Sequence, residues 1–331
     1  KFRNINAAPI VVGEISGNHN NSIRNILKIL SLSKKIGLKF IKLQTYKPDT
    51  ITLDSDKDDF VIKGTIWDKK RLFDLYNEAF TPWEWHEELF NLAKCEGLEC
   101  FSSPFDYTAI DFLEKLNTPA YKIASFEITD VQLIKYAASK MKPIIISTGI
   151  AKKEDIDLAI NTCFEVGNRD IALLKCTSSY PAPIEEANLI MIKEFAEKYG
   201  IVTGLSDHTK GSVAPIVATV LGAKIIEKHF ILDESVGGPD SSFSLTENEF
   251  KKMVDNVRSA EKSIGTVSFN LTQKQVKGRD FSRSLYVCSD IKKNELITDS
   301  NIKSVRPGFG LHPKYFNLVV GKKAKRNLKH G

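Results

Sequence analysis

Eight short apolar runs recur between Ile10 and His229, and the stretches between them place apolar residues at steps of three and four. The runs cover residues 10–15, 39–44, 98–101, 120–125, 143–148, 171–176, 201–206 and 223–229. Strand-length apolar runs alternating with helix-period segments are the pattern of repeated βα units on a parallel sheet. Eight such units fit a closed (β/α)8 barrel, an α/β fold. Helices are expected over 22–37, 83–96, 130–141, 152–166, 185–199 and 246–264, with Asp106 and Thr246 as caps at helix starts. One connection, 45–82, is too long and too aromatic for a plain loop, and long βα insertions sit over active sites.

After about residue 265 the pattern changes. A polar, irregular stretch leads into short strands with turns around "RSLYVCSDIKKNELI" and "RPGFGL". The expected organisation is a catalytic barrel over 1–264, a linker over 265–282 and a small mostly β module over 283–331. The tail "KRNLKHG" echoes "DIKKNEL" and then stops, so that module is expected to be incomplete.

Composition excludes several classes. A net charge of +6 on 331 residues, with lysines and arginines interspersed among acids except in the last dozen residues, suits small anions better than nucleic acid. No apolar run is long enough to span a bilayer, and "KFRNINAAPIVVGEI" has too short an apolar stretch for a secretory signal. A cytoplasmic location is the expectation, and the non-methionine start suggests a processed or trimmed N-terminus. Five cysteines, Cys95, Cys100, Cys163, Cys176 and Cys288, have neither paired nor zinc-finger spacing and are read as reduced, mostly packed thiols.

In such a barrel the chemistry sits at the C-terminal ends of the strands. Nearly every run here ends in polar residues: Glu14; Lys42 and Gln44; Ser102 and Ser103; Lys122, Ser125 and Glu127; Ser147; Lys175; Ser206 and His208; Glu227 and His229. His208 and His229, on neighbouring strands, suit a divalent transition metal, with Mn, Co, Fe and Zn all open. Two imidazoles leave coordination positions free for substrate and water. His19, His86 and His330 are weaker candidates, and His86 reads as structural. Lys42, Lys122 and Lys175 would converge on one mouth, where their mutual repulsion calls for an anion, a phosphate or a phosphate-carboxylate. Some of them would also pair with Glu14, Glu127 or Glu227.

The motifs "EISGNHN", "KLQTY", "SSPFD", "YKIASFEI", "ISTG", "KCTSSYPAP", "GLSDHT", "IIEKHF" and "GGPDSSFSL" resemble, in order, those of the sialic acid synthase family. The "RPGFGL" module resembles that family's antifreeze-like (SAF) domain. Within the family, "LQTYKPDTITLDSD", "LYNEAFTPWEWH" and "KCTSSYPAP" are most similar to the branch that makes pseudaminic acid. The resemblance implies condensation of phosphoenolpyruvate with 2,4-diacetamido-2,4,6-trideoxy-L-altrose, releasing phosphate. N-acetylneuraminate or legionaminate synthesis is the alternative. Such a sugar lacks the 6-hydroxyl, and Trp67, Phe80 and Trp83 in the insertion are candidates for a less polar pocket.

The resemblance also assigns roles. Lys42, Ser103, Lys122, Ser125, Ser147, Ser178 and Ser206 would hold phosphoenolpyruvate. His208 and His229 would hold a divalent metal, Mn first, with Co or Mg as alternatives. Glu127 would handle a proton and Glu14 would orient it; Gln44, Tyr180 and Asp240 would contact the sugar or water at the metal. Arg306 would reach the barrel of a second subunit in a domain-swapped homodimer. The rival readings are a Schiff-base aldolase using Lys175 and a non-catalytic sugar- or nucleic-acid-binding protein.

Overall fold

The structure, a computed structural model, describes residues 8–331. The first residues of the expected barrel domain and of the N-terminal segment, 1–7, lie outside the described residues. The chain forms two compact units that divide after Gly265.

Eight parallel strands close the first unit in sequential order: β1 (Ile10–Glu14), β2 (Phe40–Thr45), β3 (Glu99–Pro104), β4 (Tyr121–Ile123), β5 (Ile144–Ser147), β6 (Ile171–Cys176), β7 (Val202–Asp207) and β8 (Ile225–His229). The expected barrel is therefore present. Closure comes from β1 pairing with β8, Glu14 opposite His229 and Val12 opposite Glu227. Gly204 permits the tight β7–β8 approach, because a Cβ there would lie 2.3 Å from the Ile225 carbonyl oxygen.

Alternation along each strand divides the side chains into two populations. Val12, Phe101, Ile145, Ala172, Leu174 and Ile225 form an apolar plug inside the barrel, with Phe40 and Val202 against it. Ile41, Cys100, Leu205 and Ile226 face outward onto the helices Ile23–Lys35 and Glu247–Ile264, and Tyr121, Ile123, Ile144, Ile146 and Leu173 pack outward elsewhere around the shell. Each fully buried aliphatic side chain of this kind contributes roughly 1.5–3 kcal/mol.

The helix starts follow ordinary capping chemistry. Asp106 accepts from the Ala109 and Thr108 backbone N–H groups, and Glu249 accepts from both the backbone N–H and the hydroxyl of Thr246. The expected helix over 185–199 begins only at Met191, after a 3-10 turn at Ile184–Glu186 and a left-handed Asn188. The insertion holds two short helices, Pro48–Ile51 and Leu72–Ala79, and buries Tyr46 beneath them. Among the described residues no helix is long and apolar enough to cross a membrane.

In the second unit, β9 (Ser284–Val287) pairs antiparallel with β10 (Ile302–Val305) over a small core of Ile291, Ile302 and Ala324.

Candidate active site

Strand parity explains why "IIEKHF" ends a core strand in three ionisable residues. Glu227 and His229 share the inward parity of Ile225, whereas Lys228 points outward. There its ammonium is fully buried against Asp207 Oδ2 at 2.6 Å and donates to the Thr209 carbonyl. This outer pair ties the ends of β7 and β8 together immediately behind the two inward histidines. The same parity brings Glu14, Lys42, Gln44, Ser103, Lys122, Ser147, Ser206 and Cys176 inward, one step beyond the plug.

Two lysines and two carboxylates form the floor of the mouth. Lys42 Nζ lies 2.8 Å from Glu14 Oε2, 3.4 Å from Glu227 Oε1 and 3.3 Å from Ser103 Oγ. Lys122 Nζ donates to the same Glu227 oxygen at 3.0 Å, and Ser206 Oγ donates to it at 3.3 Å. Gln44 holds the other Glu14 oxygen at 3.1 Å. Burial opposes charge throughout. It pushes the Glu14 carboxyl up, with Lys42 opposing and Glu227 adding to the shift, while Lys122 and Lys42 overcome burial to hold Glu227 below the usual carboxylate range. For Lys122, burial outweighs Glu227 and lowers the pKa, which makes it the more weakly held proton of the two lysines; Lys42 is raised despite burial by Glu14 and Glu227.

Above this floor is a cluster of hydroxyls. The chain leaves β4 early and enters a 3-10 turn at Ser125–Thr129, which carries Ser125 and Glu127 to the mouth. Ser125 Oγ accepts from the Gly149 backbone N–H at 3.0 Å. A Cβ on Gly149 would lie 2.0 Å from Ser178 Oγ and 2.8 Å from Ser125 Oγ, so only glycine leaves the space where those hydroxyls meet. Ser147 Oγ is buried beside them without a hydrogen-bond partner, and Glu127 Oε2 is equally unpartnered. Burial pushes the Glu127 carboxyl up to about 7, against its own backbone N–H and Lys122.

His208 and His229 stand 5.3 Å apart, ring centre to ring centre. His208 Nδ1 donates to the Thr177 carbonyl at 3.0 Å, so Nε2 is the nitrogen left for a ligand. His229 Nδ1 is buried without a partner, 3.9 Å from Asp240 Oδ2. Burial, then the neighbouring His208 and Lys42, keep His229 neutral, its pKa well below the ordinary value. Among the described residues no group of three or more His, Cys, Asp or Glu side chains is placed to hold a metal ion. The pair nonetheless fits a divalent ion as an open site: His229 is neutral with an unpartnered nitrogen, an incoming cation would displace the proton that the Cys176 sulfur favours on His208, and the remaining positions fall to substrate and water.

Asp240 also accepts from the Gly17 N–H at 3.2 Å, joining the loops after β1 and β8. Tyr180 packs its ring 4.5 Å from His208 and 5.5 Å from Trp67. Trp83 is turned elsewhere, stacked on Phe112 at 4.7 Å. Arg306 is exposed at the end of β10 in the second unit.

Three sequence expectations need correction or addition. Lys175 does not join the other lysines: its parity is outward, and its Nζ donates to the Cys176 carbonyl at 2.7 Å. Cys176 takes the inward position instead, 3.8 Å from His208 Nδ1. Burial pushes this thiol up, but His208, Ser125 and Lys122 bring it down to about 7; burial opposes charge on His208 too, and the Cys176 sulfur outweighs it. Glu227, expected only as a lysine partner, is the acceptor shared by both lysines and Ser206. His19 and His86 have partners of their own, His19 between Thr81 and the Asn21 N–H, His86 between Thr45 and the Pro82 carbonyl.

The NeuB family model matches residues 29–269, and the SAF domain model matches residues 282–331. A pseudaminic acid synthase of Campylobacter jejuni is 48% identical over 97% of this chain and 94% of its own length. An N,N'-diacetyllegionaminic acid synthase of the same organism is 32% identical over 97% of each. The crystal structure of the spore coat polysaccharide biosynthesis protein SpsE of Bacillus subtilis superposes with a TM-score of 0.69 at 30% identity, covering 100% of this chain and 96% of that one. A family match over most of the barrel, together with relatives of this identity along nearly the whole chain, establishes that the protein belongs to the NeuB family and is one of its sialic-acid-synthase-like enzymes.

Proposed function

We propose that the protein condenses phosphoenolpyruvate with 2,4-diacetamido-2,4,6-trideoxy-L-altrose and water to give pseudaminic acid and phosphate. One observation carries the chemistry. Two histidines, two buried lysines and three unpartnered buried polar atoms (Ser147 Oγ, Glu127 Oε2 and His229 Nδ1) meet at one barrel mouth. Buried polar atoms without partners are uncommon, and several at one place are accounted for by a ligand that completes them. The choice of sugar is supported by the 48% identity to a pseudaminic acid synthase against 32% to a legionaminic acid synthase.

In this reading Ser125, Ser147 and Ser178 hold the anionic end of phosphoenolpyruvate, with Ser103, Ser206, Lys42 and Lys122 beneath it. Fixing the enol carbon against the aldehyde makes the carbon–carbon bond formation effectively unimolecular. A divalent ion, Mn first, held by His208 and His229 would polarise the sugar carbonyl when bound. As C3 of phosphoenolpyruvate bonds to the aldehyde carbon, the aldehyde oxygen gains negative charge and needs a proton. Glu127, neutral up to about pH 7, donates it. Glu14, fixed by Gln44 and Lys42, orients the water that adds at C2, and one proton of that water returns to the Glu127 carboxylate. The C2–O bond then breaks, the electron pair and the C2 hydroxyl proton leave with phosphate, and the C2 carbonyl forms. Arg306 is assigned to the sugar of a second copy, an assignment that light scattering showing a monomer under assay conditions would remove.

The test is phosphate release from phosphoenolpyruvate with Mn2+, with and without EDTA, offering the trideoxy sugar, the legionaminic precursor and N-acetylmannosamine in separate reactions. Metal-dependent release with the trideoxy altrose is expected. Release with one of the other sugars alone moves the assignment within the family, and release with none overturns the synthase reading.

A further inference from the structure

We propose that Trp67, on the long insertion after β2, selects a sugar that ends in a methyl group, forming with Tyr180 an apolar seat for C6 of the substrate. The inference rests on the synthase reading above.

Its basis is where the two rings lie and what the Trp67 indole nitrogen already does. The aldehyde carbon belongs at the His208 and His229 pair. From His208 a row of rings leads outward, Tyr180 at 4.5 Å and Trp67 a further 5.5 Å beyond it, with Phe243 5.2 Å from Tyr180 and 5.0 Å from His229. An open six-carbon chain that starts at the histidines runs along this row and brings its last carbon to Trp67.

The polar handle of Trp67 is occupied. Trp67 Nε1–H donates to the Pro239 carbonyl at 3.1 Å, which also pins the insertion to the loop carrying Asp240. What Trp67 leaves for a ligand is therefore aromatic surface, beside the face of the Tyr180 ring. A methyl group gains contact there, whereas a 6-hydroxyl would lose water without gaining a partner. Trp83, another aromatic candidate of the insertion, stacks on Phe112 instead.

An apolar pocket discriminates only modestly against an added hydroxyl, by about 10- to 100-fold. The decisive quantity is the ratio of kcat/KM for the 6-deoxy sugar to that for its 6-hydroxy counterpart, 2,4-diacetamido-2,4-dideoxy-L-altrose. In the unaltered protein the ratio is expected in that range. Trp67→Phe, which keeps an apolar face, should preserve most of it. Trp67→Ala should bring it close to one, chiefly by slowing the deoxy sugar. Where the alanine variant does not fold, Trp67→Gln, which offers the 6-hydroxyl an amide, should do the same. The idea is overturned by an unaltered protein that shows no preference, or by alanine or glutamine variants that slow both sugars equally. Failure of the unaltered protein to release phosphate with either altrose or with the other two sugars would instead overturn the synthase reading on which it rests.

Discussion

The plug and the mouth of the barrel are made by the same strands and the same inward face, yet they have opposite chemistry. Val12 and Glu14, Phe101 and Ser103, Ile145 and Ser147, Leu174 and Cys176, and Ile225 and Glu227 are two residues apart and stacked one layer above the other. The lower layer excludes every polar group. The upper layer packs two lysines, three carboxyls, a thiol and two imidazoles into nearly the same depth, several with atoms unpartnered. Side chains that stabilise the fold and side chains that are costly to it are thus separated by one pleat of the strand. Substitutions in the two layers should differ in kind.

The sharpest test pairs His229→Ala with Phe101→Ala. Removing His229 should lower kcat/KM by about 10²- to 10³-fold or more, the usual loss when a group that stabilises developing charge is deleted. Its melting temperature should hold or rise, because a buried unpartnered nitrogen disappears. Phe101→Ala should do the reverse, costing about 3–5 kcal/mol of stability while the folded fraction, assayed well below its melting point, keeps most of its turnover. Phosphate release and thermal denaturation on both variants decide it. Equal loss of stability in the two would show that the layers are not separate.

Glu127 tests the mouth by pH rather than by deletion. With its carboxyl raised to about 7 by burial, the group is mostly protonated below that pH and mostly ionised above it. As the proton donor to the aldehyde oxygen it should make kcat/KM fall as pH rises through about 7, with Lys122, Lys42 and Asp130 as the charges acting on it. Glu127→Gln should lower activity on the order of 10²-fold and abolish that limb. A limb that persists in the glutamine variant assigns the titration to another group.

The alternation that separates the layers also decides what could be read before the structure. Strand positions were legible because apolar runs of four to seven residues, with helix-period segments between them, admit few arrangements other than a closed parallel barrel. Polar strand ends marked the mouth for the same reason. What was missed is the parity of the strand ends, which the residues alone leave open. In "IALLKC" both faces are apolar, Ala172 and Leu174 on one and Ile171 and Leu173 on the other, so only the closed barrel brings Cys176 to the mouth and turns Lys175 away. In "IIEKHF" Ile225 and Ile226 are likewise both buried, and only the barrel sends Glu227 and His229 inward and leaves Lys228 to Asp207. The shared role of Glu227 was not legible at all, because it depends on three strands bringing Lys42, Lys122 and Ser206 to one oxygen. Nor was the choice of Trp67 over Trp83, which depends on how the insertion folds back over the loop after β8.

The smallest expected effect is the most discriminating. Ser147 sits at the boundary of the two layers, above Ile145 on β5, and its hydroxyl is buried with no partner. A hydroxyl desolvated in this way costs the folded protein about 1–3 kcal/mol, so Ser147→Ala should leave stability unchanged or raise it by about 1 kcal/mol. If the hydroxyl is there to donate to the anion of phosphoenolpyruvate, the same change should raise KM for phosphoenolpyruvate by roughly tenfold, the equivalent of one hydrogen bond to a charged group. The KM for the sugar should move little. A melting temperature that falls would mean Ser147 is satisfied by something in the protein and belongs with the plug; a KM that stays put would remove it from the anion site. Only a gain in stability together with a loss of affinity places it in the mouth, one pleat above residues for which the same kind of truncation does the opposite.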